Sequence, residues 1–268
     1  MMKKKAFAGI CLTGVLSLAL LAGCGQSQSA NPQAPAGDAA KPASETLVMS
    51  TNATFPPFEF VDTANGTKEI KGLDIDIANT IAKNLGVNIT INDMAFAGII
   101  GSIMEKRADF AISGMSPTPE RLKNVDFSDA YFYPRNAIVA PKGANITALD
   151  QLVGKKIAVP FGTTYEKDAK TVKDANVVAL DGSPAVIQEL NNKRVDAAIL
   201  DGSEAYEFLK KNPGLEMHLM PKSEDSFAIA FPKGSKWVEP FNKELKKMQE
   251  SGELNKLIVK WLGEEFQQ

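Results

Sequence analysis

Arg121 stands where a carboxylate could be held. The apolar run Asp109–Ser113 reads as a strand, and Ser113-Gly114-Met115-Ser116 then brings small residues that let backbone approach a bound molecule. Thr118 is a good N-cap and Pro119 fits the first helical position, so a helix is expected there with Arg121 in its first turn. The helix dipole already places partial positive charge at that end, so an Arg costs roughly a few tenths of a kcal/mol unless an anion joins it. With a carboxylate present, free N–H groups and a bidentate guanidinium would converge on one spot. The competing reading is an outward-pointing, solvated Arg.

A zwitterionic α-amino acid would need an anion as well, a few ångströms away in a cleft that excludes water. Asp201, at the end of a strand over Asp196–Leu200, supplies one. It serves equally well as the cap of a helix beginning near Ser203. The two positions are linked by an internal echo. Lys106-Arg107-Ala108-Asp109-Phe110-Ala111-Ile112 and Lys193-Arg194-Val195-Asp196-Ala197-Ala198-Ile199 share Lys-Arg-X-Asp-X-Ala-Ile, each at a helix-to-strand junction. Both strands run into small residues. A duplication would give two similar α/β lobes, each offering a strand carboxyl end where ligands bind in open sheets, whereas similar packing at helix–strand turns would give the echo without one.

The elements that position these residues alternate. Strand Thr46–Thr51, a turn at Asn65-Gly66, helix Leu73–Leu85 closed by Gly86, strand Val87–Ile91, helix Ala97–Arg107 and strand Asp109–Ser113 come first. After Asp129 follow strand Asn136–Ala140, a helix near Ala148–Leu152, strand Lys156–Val159, a helix from Gly162 to Val172 and strand Val177–Leu180. Ser183 caps and Pro184 starts a helix running to Lys193. Such alternation indicates a largely parallel sheet. A late strand, Phe227–Phe231, precedes amphipathic helices Lys236–Glu250 and Glu253–Leu262, whose apolar faces should pack on the first lobe.

With 268 residues, 44% hydrophobic, the chain is long enough for one large globular domain or two modest ones. Its amino terminus is separate. Lys3-Lys4-Lys5, an apolar run from Ala6 to Ala22, then Gly23-Cys24 read as a secretory signal over residues 1–23, and Leu21-Ala22-Gly23-Cys24 resembles the lipobox in which the Cys is lipidated. Residues 24–45, rich in Gln, Ser, Ala, Pro and Gly, read as a disordered tether. Cys11 and Cys24 both belong to this region, so no disulfide or thiolate site is expected. Loss of the signal removes three Lys from a net charge of −2, and nucleic acid is then an unsuitable partner.

Common catalytic constellations are missing. The lone histidine, His218, alternates with apolar residues as in a strand facing solvent, so neither a Ser-His-Asp triad nor a metal site can be assembled around it. No phosphate-binding loop, dinucleotide fingerprint, nucleophile elbow or zinc-protease motif is present, and no cofactor or metal is expected. Asp74 and Asp76 flank a helix start, where the dipole suffices to explain them.

Several motifs occur in order: Phe55-Pro56-Pro57-Phe58-Glu59-Phe60, Gly72-Leu73-Asp74-Ile75-Asp76, Ser113-Gly114-Met115-Ser116 with Pro119-Glu120-Arg121, Val125-Asp126-Phe127-Ser128-Asp129, Lys155-Lys156-Ile157-Ala158-Val159 with Gly162-Thr163-Thr164, and Ala228-Ile229-Ala230-Phe231-Pro232-Lys233-Gly234. From about Thr46 to Gly263 the chain resembles the family 3 extracellular solute-binding proteins, the polar amino-acid receptors of bacterial ABC importers. The resemblance implies an α/β type II periplasmic-binding-protein fold: two lobes, 46–135 with 228–268 and 136–227, joined by crossings near Phe132–Ile138 and Asp225–Ala228 and closing on ligand by a hinge. It implies that Arg121 holds the ligand carboxylate with Ser116 and the backbone at Ser113, Gly114 and Met115. Gly162, Thr163 and Thr164 would complete that site from the second lobe, and Asp201 would take the α-ammonium. Phe55 and Phe96 match the aromatic walls, or are ordinary core residues.

The ligand side chain is less determined. Members that take basic ligands often have an acidic residue at the place of Asn52. Glu59 could instead meet a cationic tip between two aromatic faces, which suit a guanidinium through cation–π contact, or it is simply part of the Pro-Phe-Glu motif. Pro160 and Phe161 make their wall apolar. The resemblance thus implies a monomeric receptor, lipid-anchored at Cys24 on the outer face of the cell membrane, that delivers arginine or another polar amino acid to a membrane permease. The rivals are a cyclohexadienyl dehydratase-like enzyme on the same fold, for which no residue stands out as the required general acid, and a sensory lipoprotein.

Overall fold

A computed structural model describes residues 44–266. The proposed signal, the lipidation position Cys24 and nearly all of the tether lie outside the described residues.

The first lobe opens with strand β1 (Thr46–Thr51) and a small antiparallel sheet of β2 (Thr54–Phe55), β3 (Glu59–Asp62) and β4 (Glu69–Lys71). Helix α1 (Leu73–Leu85) follows, its Leu73, Ile77 and Ile81 fully buried and its end closed by Gly86 in the left-handed region. Then come β5 (Asn88–Asp93), α2 (Ile99–Met104), β6 (Phe110–Ala111), the single-turn α3 (Pro119–Leu122) and β7 (Val125–Phe132). The second lobe holds β8 (Asn136–Pro141), β9 (Lys156–Pro160), α4 (Thr164–Thr171), β10 (Asn176–Leu180), α5 (Ser183–Asn191), β11 (Ala197–Asp201), α6 (Gly202–Lys211) and β12 (Leu215–Leu219). The chain then returns to the first lobe as β13 (Phe227–Pro232) and finishes in α7 (Val238–Glu250) and α8 (Glu253–Leu262).

Each lobe is built on one five-stranded sheet, in the order β5-β1-β6-β13-β7 and β10-β9-β11-β8-β12. Three strands of each are parallel, as alternating strands and helices require. The remaining pairings are antiparallel, because β13 in one sheet and β8 in the other run against all their neighbours, so neither sheet is as parallel as the alternation implies. In each sheet the antiparallel strand beside β6 or β11 has crossed from the other lobe, a long-range pairing that no local pattern announces.

Both faces of the second sheet are covered. Along β8, Ala137 and Val139 join one apolar cluster while Ile138 and Ala140 join another, the unbroken apolar run that a doubly covered strand carries. In the first lobe Phe241, Leu245, Met248, Leu254, Ile258 and Leu262 of α7 and α8 pack with Leu47, Met49 and Phe110, as their helical spacing predicts. Each such side chain contributes about 1.5–3 kcal/mol by leaving water.

Local departures have local causes. The helix expected over Ala97–Arg107 is a 3-10 turn, Phe96–Gly98, leading into the shorter α2, with glycines at 98 and 101. Ser183 does not cap α5; Gly182 precedes that helix at φ 83°. β7 was not expected as a strand, because its buried ends Val125 and Phe132 flank a polar middle. His218 is half-buried on β12 rather than turned to solvent.

Candidate functional site

The carboxyl ends of the strands face a cavity of about 40 Å³ between the lobes, on the scale of a few waters. Asn52, Phe55, Glu59, Phe96, Ser113, Gly114, Ser116 and Arg121 line it from the first lobe, and Thr163 and Thr164 from the second. The walls nearly touch. A methyl group added at Gly182 would collide with Thr54, and one at Gly114, at φ 51°, would collide with the Phe55 ring. Lys167 and Glu120 close an exposed ion pair across the lobes at 2.6 Å.

Arg121 reaches across this gap. Its Nη1 donates to the Ser116 carbonyl at 2.8 Å and its Nη2 to the Gly162 carbonyl of the opposite lobe at 3.0 Å. The Phe96 ring lies 5.2 Å from the guanidinium carbon, within cation–π range. Burial draws the guanidinium down to about 10, so desolvation is the main electrostatic fact about it. The dipole matters less than the sequence suggests. Thr118 does cap α3, its hydroxyl accepting from the Arg121 amide at 3.3 Å, but α3 has only four residues and can build little macrodipole.

Gly114 and Ser113 sit on a buried acid network. The Gly114 amide and the Tyr131 hydroxyl both donate to Asp74 Oδ2, at 2.9 and 2.8 Å. Asp74 is therefore a buried anchor for the loop after β6, not a solvated dipole partner. The Ser113 hydroxyl donates to Glu59 Oε1 at 2.6 Å and accepts from the Asn52 amide at 3.0 Å. Glu59 Oε2 and Asp74 Oδ1 are buried without a donor. Burial and then the charge of Asp74 push Glu59 well above the carboxylate range, while burial lifts Asp74 to about 6. Asn52 is committed elsewhere, to the Met94 carbonyl at 2.9 Å and the Thr54 hydroxyl at 2.6 Å.

Three expected residues stand apart from the cavity wall. Met115 is buried in an apolar cluster behind it, and its carbonyl binds the Ala228 amide. Gly162 turns its amide to Glu166 Oε2 at 2.7 Å, so only its carbonyl meets the gap. Asp201 caps α6: one oxygen, Oδ1, accepts from the Ser203 and Glu204 amides at 2.8 and 3.1 Å and from the Ser203 hydroxyl. Those donors draw it to the helix, and it lines a neighbouring hollow with Phe132 and Arg135 instead of the cavity of Arg121. Its other oxygen, Oδ2, is buried without a hydrogen-bond partner among the described residues, and burial lifts the group to about 6. Of the two sequence readings of Asp201, the helix cap is the one this geometry displays.

Thr163 caps α4 through its hydroxyl, which accepts from the Glu166 amide at 3.3 Å, leaving the Thr164 amide in the unpaired first turn at the cavity. Pro160 and Phe161 line the wall as their place before Gly162 implies. Thr54, Tyr165, Asp181, Gly182 and Ser183 line it too and were missed. The signal for Asp181-Gly182-Ser183 was their place at the carboxyl end of β10, masked by a capping role that Ser183 does not perform. Among the described residues no group of His, Cys, Asp and Glu is arranged to hold a metal ion, and no helix is long and apolar enough to cross a membrane.

Comparison with known proteins points the same way as this geometry. The arginine-binding extracellular protein ArtP of Bacillus subtilis is 35% identical over 252 residues, covering 90% of this chain and 92% of that protein. An ancestral arginine-binding protein solved with arginine superposes with a TM-score of 0.77 at 41% identity, covering 81% of this chain and 98% of that one. An ancestral arginine-binding protein solved with glutamine gives 0.76 at 41%, covering 82% and 98%. The model of the bacterial extracellular solute-binding proteins, family 3, matches residues 47–264. A match of that extent, on a two-lobed fold whose strand ends meet at a partly buried arginine, makes the chain a member of that family.

Proposed function

We propose that the chain is the receptor of a bacterial ABC importer, capturing an α-amino acid with a cationic or polar side chain, arginine first, and delivering it to a membrane permease. The observation that carries this is Arg121: a desolvated guanidinium, already directed into an interlobe cavity, with buried carboxylates on both sides. A ligand carboxylate would give the guanidinium a charged acceptor beside its two carbonyl acceptors, helped by Ser116 and the first-turn amide of Thr164. The free Oδ2 of Asp201 is assigned to the α-ammonium. Phe55 and Phe96 would sandwich the side chain, with Glu59 toward its tip. The names of the relatives above favour arginine, while the glutamine-bound ancestor keeps other polar ligands in view.

The lobes, bounded at 135/136 and 227/228, would open about the two crossings. The mature protein would be a monomer, anchored through a lipid on Cys24 and a tether over residues 24–45 at the outer face of the membrane. A thermal-shift screen of the purified chain against the twenty amino acids tests the assignment. Ligand at 100 times its dissociation constant adds about 2.7 kcal/mol, so arginine should give the largest rise in Tm, and no rise with any amino acid would end the proposal.

One observation favours a second reading. A dehydratase on this fold needs a carboxylic acid held neutral beside its substrate, and Glu59, buried on the cavity wall, meets that requirement where the sequence offered no candidate. Turnover of prephenate or arogenate would establish it, whereas arginine recovered unaltered after binding supports the receptor.

A further inference from the structure

The first turn of α6 carries a second buried acid. Glu204 is fully buried, and neither of its carboxylate oxygens has a hydrogen-bond partner among the described residues. The Ser183 hydroxyl lies beside it without a well-directed bond, and Ser183 lines the cavity of Arg121. Two more cavity residues feel its charge: Tyr165 from α4 and, from the opposite lobe, Glu59 on β3. The remaining titratable neighbours are Asp201, at the cap of the same helix, and Asp74, behind Glu59. Arg121, the cation on that cavity wall, is engaged with carbonyl oxygens. An unpaired buried carboxylate is costly, and one with both oxygens unsatisfied is an incomplete pair.

We propose that Glu204 is a ligand-binding residue which, reached from the cavity past Ser183 and acting together with Glu59 of the opposite lobe, selects a cationic side-chain tip over a neutral one of the same shape. A guanidinium placed there would give donors to both oxygens of Glu204 and to Glu59 Oε2, three acceptors that otherwise have none. A neutral ureido group presents a carbonyl oxygen to these acids in place of a charged donor, and loses that discrimination. This inference rests on the amino-acid receptor assignment and names the residue that sets its charge preference.

L-arginine and L-citrulline differ by that one replacement, so calorimetric titration of the purified chain with each is the test. The wild type should prefer arginine by roughly 100-fold, and Glu204→Gln should cut that ratio by about tenfold or more while citrulline affinity stays within about threefold. An unchanged ratio, or equal loss of both ligands, overturns the role of Glu204 and leaves the receptor assignment standing. A wild type that does not prefer arginine overturns this inference together with the arginine assignment, while a response to other amino acids would still support a receptor. A second measurement needs no variant. Burial pushes both Glu204 and Glu59 well above the ordinary carboxylate range, so a cation seated between them should expel protons. Titration at pH 7 in two buffers of different protonation enthalpy should show proton release with arginine and none with citrulline; no release with either overturns the proposal.

Discussion

In the first lobe Lys106, two residues past α2, stands at φ 58°, and in the second Lys193, two residues past α5, stands at the same angle. The two turns close with the same bonds. Lys106 and Arg107 donate to the carbonyls of Ile103 and Ser102 at 3.0 and 2.8 Å, and Lys193 and Arg194 to those of Leu190 and Glu189, both at 3.0 Å, the paired closure of a Schellman motif. Two residues on, Asp109 takes the Val48 amide at 2.7 Å and Asp196 takes the Lys156 amide at 2.8 Å. The Lys-Arg-X-Asp echo is thus a repeated joint: a left-handed helix stop followed by an acid that clasps the neighbouring parallel strand. Beyond the joints the lobes part. β6 runs into Ser113 and Gly114, whose hydroxyl and amide are taken by Glu59 and Asp74, whereas β11 ends in an Asp that caps a helix and keeps one oxygen free. The joint is held in common, and the polar groups at the strand tips differ.

That contrast predicts which changes touch binding and which touch stability. The largest effect is expected from Arg121→Ala, which should weaken arginine binding by about 3–5 kcal/mol, enough to abolish the thermal shift, and leave the ligand-free Tm nearly unchanged. Normal binding by that variant would break the division between joint and tip. Next is pH. Asp201 has its folded pKa raised by burial to about 6, above an unfolded value near 4, so the folded state binds its proton more readily. Its contribution to stability is fully present below about pH 4 and is lost as pH rises through about 6, an effect of about 3 kcal/mol. Asp74 acts in the same direction. The exposed Glu120, held near 2 by Lys167, acts the opposite way but only at lower pH. The ligand-free Tm should therefore rise from pH 7 to pH 5, and Asp201→Asn should flatten the rise; a fall over that interval would contradict the desolvation account. The smallest effect belongs to the joints. Lys106→Gly and Lys193→Gly relieve the same left-handed strain and should each stabilise by about 0.5–1 kcal/mol in chemical denaturation. Opposite signs would show that the two turns are not equivalent.

Much of this was legible because it is local. β1 and α1 have the bounds that periodicity and Gly86 require, and β9, α4, β10 and β11 fall within about two residues of expectation. Arg121 announced itself by its place after a strand, a small-residue loop and an N-cap. What stayed hidden is set by partners distant in the chain. The antiparallel strands β13 and β8 belong to sheets they reach only by crossing between lobes. Asp74 looked like a helix-start acid because Gly114 and Tyr131, which it binds, lie far along the sequence. Glu204 gave no signal at all, since an acid in a first helical turn is ordinary until its burial is known.

The grip of Arg121 on Gly162 has a kinetic meaning. The residue assigned to greet the ligand is itself a clasp between the halves, so prying them apart must undo a bond on the very guanidinium assigned to the cargo. Capture would reinforce a fastening that already exists, while unloading must break it, and differences in affinity among amino acids should be written in how slowly each one escapes.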